Sequence, residues 1–199
     1  DPIFAENTVM YHGQTLFAVV ADTRAQARNA AEQVKTNITP LATVLTIDEA
    51  IEKNCFLEQP LKLSSGSAEA TYSASPCNLT GELYAGGQEH FYLEGQAAIA
   101  QKGEGDAIKL FVSTQHPSEI QHKVAGMLGL AFGDVQVEVR RMGGGFGGKE
   151  SQSNLTACIA ALATHKTGRP ARLVYDRDDD MRVTGKRHDF KFVYKVGFN

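Results

Sequence analysis

The segment from residue 143 to residue 148 holds five glycines and one phenylalanine, Phe146, and it constrains the fold of this chain more than any other feature. Glycine adopts positive φ without a steric penalty and lets the main chain approach another group closely. A strand pattern at 135–139 precedes this segment and a helix pattern at 155–165 follows it. Free N–H groups at such a turn favour a bound anion or cofactor. The sequence therefore predicts a ligand-binding turn between a strand and a helix.

Two nucleotide-binding spacings fit this segment incompletely. Residues 143–149 match G-x-x-x-x-G-K, but Glu150 stands where the phosphate loop has the Ser or Thr that binds Mg²⁺. Residues 143–148 also match the dinucleotide turn G-x-G-x-x-G, but the expected acidic residue comes late, at Asp176. In a third interpretation the segment acts together with Gln88, whose amide follows two glycines and offers both a donor and an acceptor to a cofactor oxygen.

Hydrophobic periodicity predicts an α+β fold, with mixed sheets and packed helices. Strands are predicted at 16–21, 38–45, 79–85, 90–100, 108–112, 135–139, 171–175 and 190–196. Helices are predicted at 23–35, 46–54, 117–128, 155–165 and 176–184. Capping boxes that begin at Thr23 and Thr46 indicate the starts of the first two helices. The pattern lapses at 55–78, where serines interrupt it, and this predicts a linker.

Composition excludes several classes of protein. Hydrophobic residues make up 42% of the chain and charged residues 22%, which is typical of a globular protein with a core. The net charge of −3 argues against nucleic-acid or anionic-membrane partners, which need a concentrated basic face. No apolar stretch approaches the roughly 20 residues that span a bilayer. Three widely spaced cysteines predict reduced thiols in a cytoplasmic protein.

Three longer strings resemble the xanthine dehydrogenase family of molybdenum hydroxylases. They are Gly-Gly-Gln-Glu-His-Phe-Tyr-Leu-Glu at 86–94, Phe-Val-Ser-Thr-Gln at 111–115 and Arg-Met-Gly-Gly-Gly-Phe-Gly-Gly-Lys-Glu at 141–150. Shorter matches follow residue 168, and the resemblance covers essentially the whole chain. It implies the end of an α/β hammerhead-type domain at 1–54, a linker at 55–78 and the first part of the molybdenum cofactor-binding domain at 79–199.

The resemblance implies an oxidoreductase that hydroxylates purines, hypoxanthine to xanthine to urate, at a molybdenum held by molybdopterin. The oxygen comes from water, and electrons leave through 2Fe–2S centres and FAD on other domains or chains. Gln88 is then expected to hydrogen-bond an oxygen on the metal. Gly145, Phe146 and Gly147 are expected to lie against the cofactor, with Phe146 beside the metal. Glu150 is expected to bind the purine.

The resemblance also identifies what these 199 residues lack. The family's general-base Glu and substrate-clamping Arg lie further toward the C-terminus, so no catalytic residue is assigned. We expect a fragment, inactive alone, whose partners are the rest of the molybdenum subunit and the Fe–S and FAD units. Two alternatives stay open beside the nucleotide-binding protein: an aldehyde oxidase-like molybdenum hydroxylase and a non-catalytic assembly module with the same fold.

Overall fold

The computed structural model describes residues 2–199, which divide into two compact units. The first unit consists of residues 2–35 and 89–186, and the second of Thr36–Gln88 and Arg187–Asn199. No helix in the described part of the chain is long and apolar enough to cross a membrane.

The described chain combines packed helices with sheets in which three strand pairs are antiparallel and one is parallel, which confirms the predicted α+β class with mixed sheets. The helices are α1 (Arg24–Glu32), α2 (Ile47–Glu52), α3 (Ala68–Ala74), α4 (Pro117–Leu128), α5 (Ser153–Thr167) and α6 (Arg177–Val183). The strands are β1 (Cys77–Ala85), β2 (Ala97–Lys102), β3 (Ile108–Val112), β4 (Val135–Glu138), β5 (Ala171–Val174) and β6 (Phe190–Phe198). A 3₁₀ turn at Phe132–Asp134 precedes β4.

The first unit is built on a four-stranded mixed sheet with the strand order β4-β3-β2-β5. β3 pairs in parallel with β4, whereas the β2–β3 and β2–β5 pairs are antiparallel. Side chains alternate across a strand, so Ala98, Ala100 and Leu110 share one face of the sheet and are buried there. Helix α5 packs on β2, β3 and β5, and α4 packs on β4 and on α5. Ile120 and Val124 of α4 complete this core.

Helix boundaries follow the local signals in the sequence. Thr23 and Gln26 form the predicted capping box of α1, and the Thr46 hydroxyl accepts the Glu49 N–H at the start of α2. Helix α5 ends at Gly168, which has a φ of +70°. Glycine is common at this left-handed position because it has no Cβ to clash. Capping depends on residues three or four positions apart, so the sequence alone is sufficient to predict it.

Two predicted strands are absent. Residues 16–21 and 38–45 form no strand, and neither segment joins a sheet in the described chain. Phe17 and Val20 are exposed. An apolar run indicates a preference for burial, but a strand also needs a partner that the run does not specify. The predicted strand at 90–100 begins only at Ala97, since Phe91 turns the chain with a φ of +50°.

A helix that the sequence analysis did not predict, α3, lies inside the segment predicted as a linker. Its alanines and Glu69 favour a helix, but the surrounding serines concealed that preference. The predicted domain boundaries themselves stay a prediction.

The second unit is a two-stranded antiparallel ribbon of β1 and β6, in register from Cys77 opposite Phe198 to Ala85 opposite Phe190. Asp48 ties α2 to this ribbon, since its carboxylate accepts the Tyr84 hydroxyl at 3.0 Å and the Lys191 ammonium at 2.5 Å. Glu69 of α3 forms an ion pair with Lys195 of β6 at 3.0 Å. No described residue of this unit is buried. Main-chain hydrogen bonds and surface ion pairs therefore hold the ribbon.

Leu110→Ala is expected to lower the free energy of unfolding by about 2–5 kcal/mol, because it leaves a cavity in the core between the sheet and α5. Leu110 is 0% exposed, whereas Leu93 in the same unit is 91% exposed. The matched substitution Leu93→Ala is expected to change stability by less than about 0.5 kcal/mol. Denaturant unfolding of both variants measures the difference, and equal effects would contradict the assignment of the core.

Candidate cofactor-binding site

The glycine loop, residues 143–148, connects β4 to α5 in the first unit and has a strained main chain. Gly144 and Gly147 have φ values of +96° and +88°, and Phe146 between them has +53°. A left-handed residue with a side chain costs roughly 1–2 kcal/mol, so surrounding contacts must hold Phe146 in place. Its ring is 75% exposed. Strain of this kind concentrates at ligand-binding sites.

Some glycines of the loop make room for side chains of the chain itself. A Cβ on Gly145 would lie 2.5 Å from Oε1 of Gln115, and a Cβ on Gly148 would lie 2.7 Å from the ring of Tyr92. Both distances are shorter than van der Waals contact, so these positions need glycine. The predicted contact between Gly145 and a cofactor stays a prediction, and the packing of Gln115 is a separate reason for a glycine there.

Gly147 has a different environment. A Cβ on this residue would meet no atom within 4 Å. The N–H groups of Gly145 and Phe146 have no hydrogen-bond acceptor among residues 2–199. The loop therefore presents open main chain and an exposed aromatic ring at 146–147. These groups fit an organic cofactor that lies against the chain and offers acceptor atoms.

Gln115, three residues after the end of β3, holds the second half of the loop. Its side-chain Oε1 accepts the N–H of Gly147 at 3.0 Å and that of Lys149 at 3.2 Å. Its own N–H donates to the carbonyl of Lys149 at 2.9 Å. The sequence analysis quoted Gln115 within the string 111–115 and gave it no role. Its position at the end of that string was the available signal.

Lys149 and Glu94 tie together the two ends of the loop. Lys149 is 0% exposed, and its ammonium lies 3.1 Å from Oε2 of Glu94 and 2.8 Å from the hydroxyl of Ser113. The ammonium also lies 4.7 Å from the ring centre of Tyr92, a cation–π contact. The same Oε2 accepts the N–H of Gly143 at 2.7 Å. One carboxylate oxygen therefore holds the start of the loop and the residue that follows it.

The Glu94 carboxylate is charged at neutral pH. Burial opposes its ionisation, but hydrogen bonds from the Gly143 N–H, the Ser113 hydroxyl and the Lys149 ammonium outweigh burial and hold its pKa below the ordinary value of 4.5. A lowered pKa in the folded state stabilises the fold above the ordinary value. That stabilisation is lost as the pH falls through the lowered pKa.

A buried polar network lies behind the loop. The Gln96 amide donates to the Gly148 carbonyl at 3.0 Å and to the Tyr92 hydroxyl at 2.9 Å. The Tyr92 hydroxyl donates to Asp180 of α6 at 2.7 Å. Burial and the Asp180 carboxylate raise the pKa of Tyr92 to about 12, so its hydroxyl stays a donor. The sequence analysis missed this network because its members lie far apart in the chain.

Two further residues expected at the site lie outside the loop. Glu150 is exposed, precedes α5 by three residues, and its carboxylate makes no hydrogen bond with the described residues. Gln88 is exposed in the second unit, three residues after the end of β1, and exchanges main-chain hydrogen bonds of 3.1 and 3.0 Å with Arg187. Gln88 and the glycine loop belong to different units, so their meeting at one cofactor stays a prediction.

The side chains offer no ready-made cation site. Within residues 2–199, no group of three or more His, Cys, Asp or Glu side chains could hold a metal ion. The glycine loop offers N–H donors and a ring, which bind an organic group and its acceptor atoms. A metal at this loop would therefore take its ligands from a cofactor.

Sequence comparison assigns the family. Residues 47–199 match the model of the molybdopterin cofactor-binding domain, so the chain belongs to that family. Xanthine dehydrogenase/oxidase from Felis catus is 47% identical over 199 residues, and aldehyde oxidase 2 from Rattus norvegicus is 41% identical over 200 residues. Each alignment covers 100% of this chain and 15% of the relative. The chain thus spans about one seventh of the length of these relatives.

A solved structure confirms the fold. Quinoline 2-oxidoreductase from Pseudomonas putida 86 superposes on 100% of this chain, and on 26% of its own, with a TM-score of 0.89. The sequence identity is 22%, so this likeness concerns the fold alone.

Substitution of the two partners of the Lys149–Glu94 pair is expected to give unequal losses. Glu94→Gln leaves a fully buried ammonium without a charge partner, which costs about 3 kcal/mol or more. Lys149→Met leaves a partly exposed carboxylate that keeps Ser113 and the Gly143 N–H, and we expect a loss of about 1–2 kcal/mol. Denaturant unfolding at neutral pH checks this order. A larger loss for Lys149→Met would contradict the role given to the buried ammonium.

Proposed function

We propose that this chain forms part of the molybdenum site of a xanthine dehydrogenase-like enzyme, with the molybdopterin against the glycine loop. The observation that carries the proposal is the open main chain at Phe146 and Gly147, held in a strained conformation by buried contacts. Family membership and 47% identity to a xanthine dehydrogenase/oxidase support it. When bound, the molybdenum–pterin group supplies oxidation of a purine carbon with oxygen from water.

The loop's own groups would position the cofactor. The N–H groups of Gly145 and Phe146, which have no acceptor among the described residues, donate to oxygen or nitrogen atoms of the bound group. The exposed Phe146 ring would form part of the wall around the bound cofactor and would exclude water there. Gly147 lets the main chain contact the cofactor because no Cβ intervenes.

Glu150 and Gln88 would complete this chain's contribution. The Glu150 carboxylate, free of hydrogen bonds with the described residues, hydrogen-bonds the purine and stabilises charge that shifts onto its ring. The Gln88 amide, which offers both a donor and an acceptor, would hydrogen-bond the molybdenum group. The remaining part of the molybdenum subunit supplies the general base, and 2Fe–2S and FAD units take up the electrons. Neither nucleic acid nor membrane is a partner in this proposal.

An aldehyde-oxidising enzyme is the second candidate, because aldehyde oxidase 2 from Rattus norvegicus is 41% identical over the same length. We prefer the hypothesis of a purine substrate, because the sequence identity to a xanthine dehydrogenase/oxidase is higher, at 47%. Turnover of xanthine against that of an aromatic aldehyde by the purified enzyme separates the two.

Gly147→Ala is expected to remove bound molybdenum and pterin from the protein expressed at the full length of its gene. The added Cβ enters the open space where the cofactor is proposed to lie. Gly105→Ala is the matched control, since Gly105 also has a positive φ, +63°, and open space at its Cβ. Gly105→Ala reports the cost of an alanine at positive φ, roughly 1–2 kcal/mol, and Gly147→Ala at φ +88° carries somewhat more strain, so the folded fraction of each variant is measured alongside. Metal analysis and pterin fluorescence measure the loss, and full retention in Gly147→Ala would overturn the proposal.

Glu150→Gln is expected to lower kcat/KM for the purine by about a hundredfold or more, since it removes a charged partner of the transition state. Molybdenum content should not change, and Glu104→Gln in an exposed turn should leave turnover unaltered.

Gln88→Ala in the same assay tests the proposed amide contact. If Gln88→Ala turns over normally, the assignment of Gln88 is wrong. If all variants are normal, a non-catalytic module is the better reading.

A further inference from the structure

Helices α4 and α5 cover one face of the four-stranded sheet of the first unit, and the described residues form an open depression on the other face. Side chains that alternate with the buried ones, such as Ile99 of β2 and Phe111 of β3, point to this outer face. These two residues stand opposite each other, and Ile99 is 40% exposed. They lie in an open depression of about 400 Å³. We name this surface the outer sheet face; its members are Ile99, Lys109, Phe111, Glu138, Arg140, Arg141 and Arg172.

Cations surround the apolar centre of the outer sheet face. The Lys109 ammonium and the Arg140 guanidinium lie 5.0 and 5.1 Å from the ring centre of Phe111. Both cations share one carboxylate, that of Glu138, at 3.3 and 2.8 Å. Hydrogen bonds from these two cations hold the pKa of Glu138 below its ordinary value, so it is ionised at neutral pH.

Arg141 and Arg172 have no carboxylate within 4 Å in the described part of the chain, although both line the depression. Four cations, Lys109, Arg140, Arg141 and Arg172, therefore stand against two carboxylates at the depression, Glu138 and Glu94, on a chain whose net charge is −3. Glu94 is already paired with the buried Lys149. This local excess of positive charge is opposite in sign to the chain as a whole. Its complement is a surface that carries several carboxylates.

The apolar centre decides between a small anion and a polypeptide. An inorganic anion would pair with Arg141 or Arg172 and leave Ile99 and Phe111 exposed to water. A polypeptide can place an apolar side chain on these two residues and carboxylates on the surrounding cations. An apolar centre with a charged rim is the usual anatomy of a protein interface. The observations therefore favour a polypeptide.

We propose that the outer sheet face binds an acidic polypeptide segment from the part of the enzyme outside these 199 residues. The inference rests on the proposed function, because it takes the segment from a longer enzyme. The relatives are long enough to supply it, since this chain covers 15% of their length. The depression also borders Glu94 and Ser113, which hold the glycine loop. A segment seated there would shield these loop-holding groups from water.

Zero-length carbodiimide cross-linking of the full-length protein tests the proposal. In Arg172→Lys, and separately in Arg141→Lys, the introduced amine is expected to join an Asp or Glu outside these 199 residues, which peptide mass mapping identifies. Two sites keep the test valid if one variant fails to fold. Ile99→Asp added to either variant should lower the cross-link yield by about tenfold, because like charges then meet at the interface.

Arg169→Lys is the control for the chemistry. Arg169 is exposed and pairs with Asp22 at 2.9 Å, so its replacement should cross-link to Asp22 within the chain. If this control reacts while the other two variants join nothing, or join only residues within the chain, the proposal is overturned. Cross-links between isotope-labelled and unlabelled copies would overturn it in favour of self-association. If inorganic phosphate abolishes the cross-links of the lysines at positions 141 and 172, the proposal is overturned in favour of an anion site.

Cross-links are read from peptides whatever the metal content. If the protein contains no molybdenum but still gives the expected cross-link, the proposed function is contradicted and this inference is supported. A molybdenum-loaded protein without the cross-link would do the reverse.

Discussion

Lys149 has no contact with water, and its ammonium is stable there because the Glu94 carboxylate lies 3.1 Å away. An unpaired buried ammonium costs several kcal/mol, so the fold keeps this pair together. Glu94 also accepts the Gly143 N–H, and Lys149 follows the last glycine. The pair thereby links the first residue of the glycine loop, Gly143, to Lys149, the residue that follows it. The left-handed conformation of Phe146 is maintained by this link together with Gln115.

A loop that is already closed binds a cofactor at lower entropic cost than one that must become ordered. The glycines divide this task between them. Gly145 and Gly148 admit side chains of the chain itself, and these side chains fix the loop from behind. Of these three glycines, only Gly147 has open space at its Cβ position that a ligand could occupy. Glycine density in the sequence therefore reflects internal packing as well as the proposed ligand binding.

Local sequence signals were sufficient to predict many of the helices and strands. Contacts between residues far apart in the chain could not be predicted from the sequence. Helices α1, α4 and α5 follow from capping residues and apolar spacing, and β3 and β4 follow from alternation. The segment 16–21 has an equally strong pattern but no strand partner in the described chain. The contact between Tyr92 and Asp180 joins residues 88 positions apart. No pattern in a single sequence encodes such a pair. The glycine loop could be predicted, whereas the side chains that hold it could not.

The β1–β6 ribbon has a consequence for handling the protein. Within residues 2–199 neither strand has a neighbour on its outer side, so two rows of main-chain groups stay open to a further strand. An open edge of this kind can pair with a strand of a native partner or with a strand of a misfolded chain, and it discriminates poorly between them. Lys191 and Lys195 put charged side chains on β6, each paired with a carboxylate, that of Asp48 or Glu69, and lysines on edge strands are a common natural protection against amyloid-like growth. Substitutions that neutralise these lysines would therefore remove that protection and leave Asp48 and Glu69 without their ion-pair partners.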